Sequence, residues 1–317
     1  MKKEKCLGCY QDLEKKLPGN YHTACSKKLF GTEIPPEVDF GSNDLEELAI
    51  RSLTKHLGIA GVQPKISTQL EKKENDPTHR LMIVDWEGHF ILKPPTKEFP
   101  QISVVEDLTM HMAERCGLTV ARHGLIKLKT GELAYVTKRF DRQKKGKKIA
   151  VEDFCQLSEL LTENKYNSSI EKAGKIILKH ATNSGLDVVN FFDLILFSYL
   201  TGNSDMHLKN FSLMRNDLNE IGLTPFYDLL ATKLLLPEDK EEVALTINGK
   251  KNKLKKDDFI TLGKGFKIGD KAIEKSFERI LRSIPEMKDL IERSFISKKF
   301  QEGYSDLIDL RAKVLAS

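Results

Sequence analysis

Thr201-Gly202-Asn203-Ser204-Asp205-Met206-His207-Leu208-Lys209-Asn210 follows directly on residues 186–200. Val188, Val189, Phe191, Phe192, Leu194, Ile195, Leu196, Phe197, Tyr199 and Leu200 make that preceding stretch apolar nearly all round. A helix of this kind lies inside the core of its lobe, so the polar residues after it form a loop on a rigid support. Asp205 and Asn210 stand five residues apart, ahead of a strand-like segment at 211–214. The carboxylate can take the proton of an attacking hydroxyl, and the amide oxygen can hold Mg²⁺ beside a triphosphate. Eighteen residues after Asn210, Tyr227-Asp228-Leu229 brings a second carboxylate. Asp205, Asn210 and Asp228 thus have the order and approximate spacing of the catalytic Asp, metal Asn and metal Asp of a protein kinase. Each residue alone also fits an ordinary turn or cap, where Asp and Asn are common. The ordered set carries the reading.

Phosphoryl transfer also needs a phosphate cradle and a cation. Gly58-Ile59-Ala60-Gly61-Val62-Gln63-Pro64-Lys65 joins a helix at 43–57 to a strand at 66–70. Its glycines let backbone approach phosphate oxygens and Lys65 adds charge, although ordinary turns share this composition. Ile91-Leu92-Lys93-Pro94 ends an apolar strand on a lysine, and Glu106 on the helix at 104–116 is its candidate partner. Gly117 is a natural stop for that helix. Further strands are expected at 81–85, 89–93, 124–128 and 133–137. Turns at 86–88 and 129–131 would join them into two hairpins. Beyond a lysine-rich loop at 143–148 the pattern turns helical, with candidates at 151–161, 170–181, 186–200, 272–284 and the C-terminal stretch. A mostly β first half and a mostly α second half, each with its own core, predict an α+β fold of two lobes.

Gly61-Val62-Gln63-Pro64-Lys65, Ile91-Leu92-Lys93-Pro94, Glu106 with residues 113–117, Arg139-Phe140-Asp141-Arg142, the pattern GNxDxHxKNFS at 202–212 and Tyr227-Asp228 together resemble the serial landmarks of HipA-family kinases. Those are the toxins of bacterial HipBA-type toxin–antitoxin modules. The resemblance spans residues from about 55 to 235 and implies a two-lobed kinase fold, with a β-rich N-lobe and a mostly α-helical C-lobe. It implies an ATP- and Mg²⁺-dependent serine/threonine protein kinase, with Asp205 as catalytic base and Asn210 and Asp228 on the metal. Lys93 would meet the α/β phosphates, with Glu106 its helix partner. Ala60, Gly61, Val62, Gln63 and Lys65 would form the phosphate loop. Lys138, Arg139 and Phe140 would lie at the adenine hinge, and Tyr227 would line the adenine pocket. His207 and Lys209 would support the catalytic loop, with Lys209 also able to touch the γ-phosphate. The implied target is a translation-related protein such as an aminoacyl-tRNA synthetase. The implied partner is a HipB-like helix-turn-helix antitoxin, so DNA would be met only indirectly.

The chain departs from that family pattern in three places. Only about 55 residues precede the phosphate loop, where full-length members carry an extra N-terminal subdomain. A separate small protein supplying that subdomain is therefore an expected partner. Gly58 stands where many members have a phosphorylatable Ser or Thr, and Lys138 occupies a hinge position that is often acidic. A regulator that binds nucleotide without catalysis and a small-molecule kinase are the alternative readings. The complete set of Lys93, Asp205, Asn210 and Asp228 disfavours the first, and the Phe211-Ser212 and Arg139-to-Arg142 signatures disfavour the second.

The first 30 of the 317 residues hold seven lysines against three acids, which accounts for most of the net charge of +5. The rest is nearly neutral, unlike a protein coated for DNA. The same segment contains Cys6-x₂-Cys9-x₁₂-His22-x₂-Cys25. Two such turns can close a tetrahedral S₃N site, and so short a segment has little other means of folding, which predicts a structural Zn²⁺. Free thiols remain the plain alternative, and a redox role for the Cys-x-x-Cys lacks the βαβ context it needs. The expected parse is a zinc knuckle at 1–32, an N-lobe at 33–148 and a C-lobe at 149–317. Lysine runs at 250–256 and 144–148 read as solvated faces. The longest apolar run, Leu194 to Leu200, is short for a membrane span, and no apolar stretch follows the N-terminal lysines. No membrane association and a cytoplasmic location are expected.

Overall fold

Strand β1 (Ile66–Lys72) lies between two neighbours, and this placement organises the first part of the protein. The structure, a computed structural model, describes residues 4–41, 44–45, 63–73, 78–85, 87–143 and 147–317. It separates into two units, one of residues 1–108, 121–139 and 293–295, the other of residues 109–120, 140–292 and 296–317.

The first unit is built on a five-stranded antiparallel sheet of β1, β2 (His79–Ile83), β3 (Phe90–Lys93), β4 (His123–Lys127) and β5 (Leu133–Lys138), in the order β2-β1-β3-β5-β4. The expected hairpin around Lys129-Thr130-Gly131 forms, with Leu125 opposite Tyr135, and Gly131 takes φ of 101° in its turn. The other expected hairpin does not. β2 and β3 are consecutive in sequence but never pair, because β1 inserts between them, with Leu70 opposite Leu81 on one side and Ile66 opposite Leu92 on the other. The link from β2 to β3 crosses the β1 backbone, so a Cβ on Gly88 would lie 2.6 Å from the Thr68 carbonyl oxygen. Burial of Thr68 and Phe90 on this central pair outweighs the local turn preference. Ile102–Arg115 forms the expected helix and ends at Gly117, whose φ is +80°.

Residues 4–41 belong to this same unit. The segment runs along the free edge of β4, where the Leu125 amide donates to the Leu7 carbonyl at 3.1 Å and the Tyr21 hydroxyl donates to the Leu125 carbonyl at 2.7 Å. Gly124 makes room, since a Cβ there would lie 2.5 Å from the Tyr21 hydroxyl. Its helix Thr23–Phe30 buries Leu29 and Phe30, and Phe30 meets Phe90 with ring centroids 5.8 Å apart. Of the helix expected at 43–57, Asp44 and Leu45 are helical, and the rest lies outside the described residues.

The second unit is mostly helical and surrounds Ser184–Thr201. That helix packs against Ile170–His180, Asp270–Arg282 and Lys298–Ala316. Phe191, Phe192, Leu194, Leu196, Phe197 and Leu200 are fully enclosed. Among the described residues it alone is long and apolar enough to cross a membrane by length and composition, and 67% of it is buried inside the protein as a core helix. A three-stranded sheet of β6 (Val151–Asp153), β7 (Ser212–Arg215) and β8 (Ile221–Leu223) lies in this unit. The helix expected at 151–161 is replaced by β6 and one turn, Phe154–Leu157. Asp153 caps that turn in a box with Gln156, and Glu159 at φ +55° ends it. The lysine run at 250–256 is partly neutralised, with Lys250 2.8 Å from Asp258 and Lys251 3.0 Å from Glu241.

Candidate functional site

In the second unit the polar loop begins where Ser184–Thr201 stops. Gly202 closes the helix at φ 71°, a conformation that disfavours other residues, and a Cβ there would meet Leu307 at 2.7 Å. The Asn203 side chain accepts from the Asp205 amide, and Ser204 is tied to Thr232 and Asp239. These anchors leave Asp205 exposed at the apex. Its Oδ1 accepts a hydrogen bond of 2.6 Å from the Tyr166 hydroxyl. Burial, then the bond to Asp205 and its charge, push the Tyr166 phenol above its ordinary pKa, so it stays a donor.

Asn210 is buried, and its Nδ2 donates to the Asp205 carbonyl oxygen at 3.0 Å. With the amide nitrogen committed, Oδ1 is left as an acceptor able to ligate a hard cation. His207 is buried with its ring edge-on to Tyr166, centroids 5.1 Å apart. Its Nδ1 has no hydrogen-bond partner among the described residues. Burial holds the imidazole below its ordinary pKa against the opposing charge of Asp205, which favours the neutral ring. Lys209 is drawn toward Asp153, 3.4 Å away, and Thr162.

Tyr227 binds the loop to the sheet: its hydroxyl donates to the Lys209 carbonyl at 3.0 Å and lies 2.6 Å from the Ser212 hydroxyl. Burial raises its pKa, and its ring lies 5.8 Å from that of Phe140. Asp228 follows at φ +60°, left-handed and uncommon for a residue other than glycine. Asp205, His207, Lys209, Asn210 and Tyr227 are therefore joined by direct bonds or one shared neighbour. Asp228 follows Tyr227 directly, in a left-handed backbone conformation.

In the first unit Lys93 ends β3 with its Nζ on Glu106 Oε1, both side chains almost wholly enclosed. The ammonium also lies 5.4 Å from the centre of the Tyr135 ring. Ser103 donates to the Lys93 carbonyl and Gln63 to the Pro94 carbonyl, at 2.9 Å each. Gln63 is thus tied to the end of β3, whereas Lys65 is exposed just before β1. The Lys138 amide donates to the Arg122 carbonyl and the Arg139 amide to the His89 carbonyl, fixing the end of β5. Ala60, Gly61, Val62 and Gly58 lie outside the described residues.

The N-terminal ligand atoms of Cys6, Cys9, His22 and Cys25 all lie within 4.8 Å of one another. Cys9 Sγ is 3.4 Å from His22 Nδ1, and the His22 amide points at Cys6 Sγ at 3.3 Å. The thiols compete for protons. Hydrogen bonds from Cys25 and Cys9 pull the Cys6 thiol far down, to about 2, and the same crowding pushes Cys25 far up. No disulfide forms among them. A tetrahedral zinc with bonds of about 2.3 Å would set its sulfurs roughly 3.8 Å apart, so the cluster fits that ion.

Residue patterns alone passed over Tyr166, Asp153 and Thr232. Each reaches the loop by tertiary contact from 28 to 56 positions away, and none has a local motif to mark it.

Residues 57–288 match the family described as HipA-like C-terminal domain. A Haemophilus influenzae protein named "Putative kinase" is 27% identical over 80% of this chain and 78% of its own length. "Putative kinase Y4dM" of Sinorhizobium fredii is 30% identical over 76% of this chain and 62% of its own, so the chain spans under two thirds of that relative. Among solved structures, the HipA of Shewanella oneidensis MR-1, determined with HipB and its operator DNA, superimposes with TM-score 0.68 at 18% identity, over 85% of this chain and 70% of that one. The Helicobacter pylori proinflammatory kinase CtkA gives 0.54 at 18%, over 74% and 90%. At such identities the likeness carries the fold, and the α+β architecture expected from the sequence is the one these structures share. Matched across most of its length by that family description, the chain belongs to the HipA-like C-terminal domain family.

Proposed function

We propose that this protein is a kinase that transfers the γ-phosphoryl group of ATP to a serine or threonine hydroxyl of a protein. The observation that carries the reading is the bond from Asn210 Nδ2 to the Asp205 backbone, which leaves an amide oxygen and an exposed carboxylate on one anchored loop. In this reading Asp205 takes the proton of the acceptor hydroxyl as its oxygen attacks the γ-phosphorus. A new P–O bond forms while the bond to the β,γ-bridging oxygen breaks, and ADP leaves with that electron pair. Asn210 and Asp228 would hold Mg²⁺, which when bound offsets charge on the β and γ oxygens. Lys93, steadied by Glu106, would donate to the α and β phosphates. Ala60, Gly61, Val62, Gln63 and Lys65 would cradle them, with Lys138, Arg139, Phe140 and Tyr227 serving the adenine. His207 would brace the loop, with Lys209 held on Asp153.

The family and the HipA structure with HipB and DNA support a place in a toxin–antitoxin pair. The partner would be a small helix-turn-helix antitoxin. The target would be a cytoplasmic, translation-related protein such as an aminoacyl-tRNA synthetase. The ligand geometry supports a structural Zn²⁺ on Cys6, Cys9, His22 and Cys25, in a knuckle of residues 1–32 ahead of lobes at 33–148 and 149–317.

The test incubates the protein and its Asp205→Asn variant with labelled ATP, Mg²⁺ and a cell lysate. A labelled serine or threonine in a protein band, lost in the variant, is expected. Bound ATP with no transfer in the wild type would overturn the reading.

A further inference from the structure

We propose that the metal-loaded knuckle sets the position of Glu106, with Tyr10 as the positioning residue and Asp107 as its contact on the helix. The inference rests on the zinc reading of the knuckle and on Lys93–Glu106 as part of the ATP site. Tyr10 follows Cys9 directly, and its amide donates to the Cys6 carbonyl at 2.9 Å, closing the Cys-x-x-Cys turn. It does so at φ 63°, a conformation an L-residue adopts reluctantly and that the turn around the ligands must hold. The ring is fully buried and packs edge-on against Phe295, with centroids 5.2 Å apart. Its hydroxyl donates to Asp107 Oδ2 at 2.7 Å, while His123 Nδ1 on β4 meets Asp107 Oδ1 at 2.6 Å.

Asp107 is the neighbour of Glu106 on the helix Ile102–Arg115. Adjacent helical residues point about 100° apart, so one carboxylate can be gripped by the knuckle and sheet while the other reaches Lys93. The helix is held in rotation and height by these two bonds on one side and the Lys93 pair on the other. The knuckle has a second buried tyrosine, Tyr21, whose hydroxyl ends on the Leu125 backbone of β4 and not on the helix. It is a built-in control, a similar loss of a buried hydroxyl that spares Asp107.

The experiment compares full-length wild type, Tyr10→Phe and Tyr21→Phe, with Asp107→Asn as a second variant entering from the helix side. Backbone hydrogen exchange is followed in residues 102–108, with zinc content and equilibrium binding of ATP measured on the same samples. Tyr10→Phe and Asp107→Asn should raise exchange in this helix and weaken ATP binding roughly tenfold, as loss of a hydrogen bond to a charged group implies, with one equivalent of zinc retained by Tyr10→Phe. Tyr21→Phe should change neither. Chelating zinc from wild type should reproduce the Tyr10→Phe pattern of exchange. Equal exchange in the two tyrosine variants, or chelation without effect on 102–108, would overturn the inference. Wild type that binds no ATP sinks the functional reading instead, and the exchange result still decides the positioning role.

Discussion

Lys93 Nζ and Glu106 Oε1 form an ion pair inside the first unit, with 5% and 1% of their side chains exposed. Such a pair gains little over an apolar replacement, yet breaking it strands a charge away from water. Lys93→Met should lower the free energy of unfolding by about 3–5 kcal/mol. Lys93→Met with Glu106→Leu should recover most of that loss while ATP binding stays absent. Urea unfolding of the two single variants and the double variant measures the coupling; a double variant as unstable as Lys93→Met would contradict the account.

Asp205→Asn should leave stability and ATP affinity near wild type, because the side chain is exposed and the anchors of its loop run through Asn203, Ser204 and Asn210. The transfer rate should fall by about 10²–10⁴. Single-turnover kinetics with bound nucleotide separate this outcome from a binding defect.

Asp228 joins a carboxylate to a left-handed backbone. Asp228→Asn removes the charge but keeps a side chain that tolerates that conformation, so the fold should hold while the Mg²⁺ needed for half-maximal transfer rises at least about tenfold. Asp228→Val removes the same carboxylate and adds strain of about 1–3 kcal/mol. Thermal unfolding distinguishes them, and equal melting temperatures would refute the role of the backbone.

Burial depresses the His207 pKa below 6.5, its ordinary value. The unfolded chain then binds more protons between the depressed pKa and 6.5, so stability contributed by this site falls as pH drops through that window. Above 6.5 both states carry a neutral ring and the effect vanishes. The difference in unfolding free energy between wild type and His207→Gln, followed from pH 8 to 5, should be flat at first and then shrink. A constant difference would show that the ring is not held neutral.

For the knuckle, metal analysis of the purified protein should find one equivalent of zinc. Cys25→Ser should lose it, with the remaining thiols becoming reactive. Less than about half an equivalent in wild type, with all three cysteines titrating freely, would remove the site.

The residue patterns that could be read locally were those with a local cause. The apolar run before Gly202 marks a helix, which the fold buries as a core element, and Gly117 and Gly131 mark a helix end and a turn that take positive φ. The hairpin expected at 86–88 did not form because β1, some 20 residues earlier, pairs with both β2 and β3 and lies between them. The helix expected at 151–161 failed to a capping box: Asp153 and Gln156 satisfy each other's backbone groups and start a new turn after a strand. At the loop, Asp205 and Asn210 were visible as a spaced pair. The bond that orients Asn210 and the phenol that holds Asp205 arise only after folding. The four ligands of the knuckle were legible as spacing, but the route from Tyr10 to Asp107 spans 97 positions and leaves no trace in either segment.

The knuckle's place along β4 bears on how the protein would fail. A sheet ordered β2-β1-β3-β5-β4 has two rims, and at β4 the Leu125 amide and carbonyl are taken by Leu7 and Tyr21. Were the N-terminal segment to let go, that rim would offer unsatisfied backbone groups beside Gly124, a flat spot with no side chain to hinder another chain. Metal starvation would then produce sticky, self-associating molecules rather than quietly inactive ones. A metal held by Cys6, Cys9, His22 and Cys25 would in this way guard the solubility of the fold along the β4 rim.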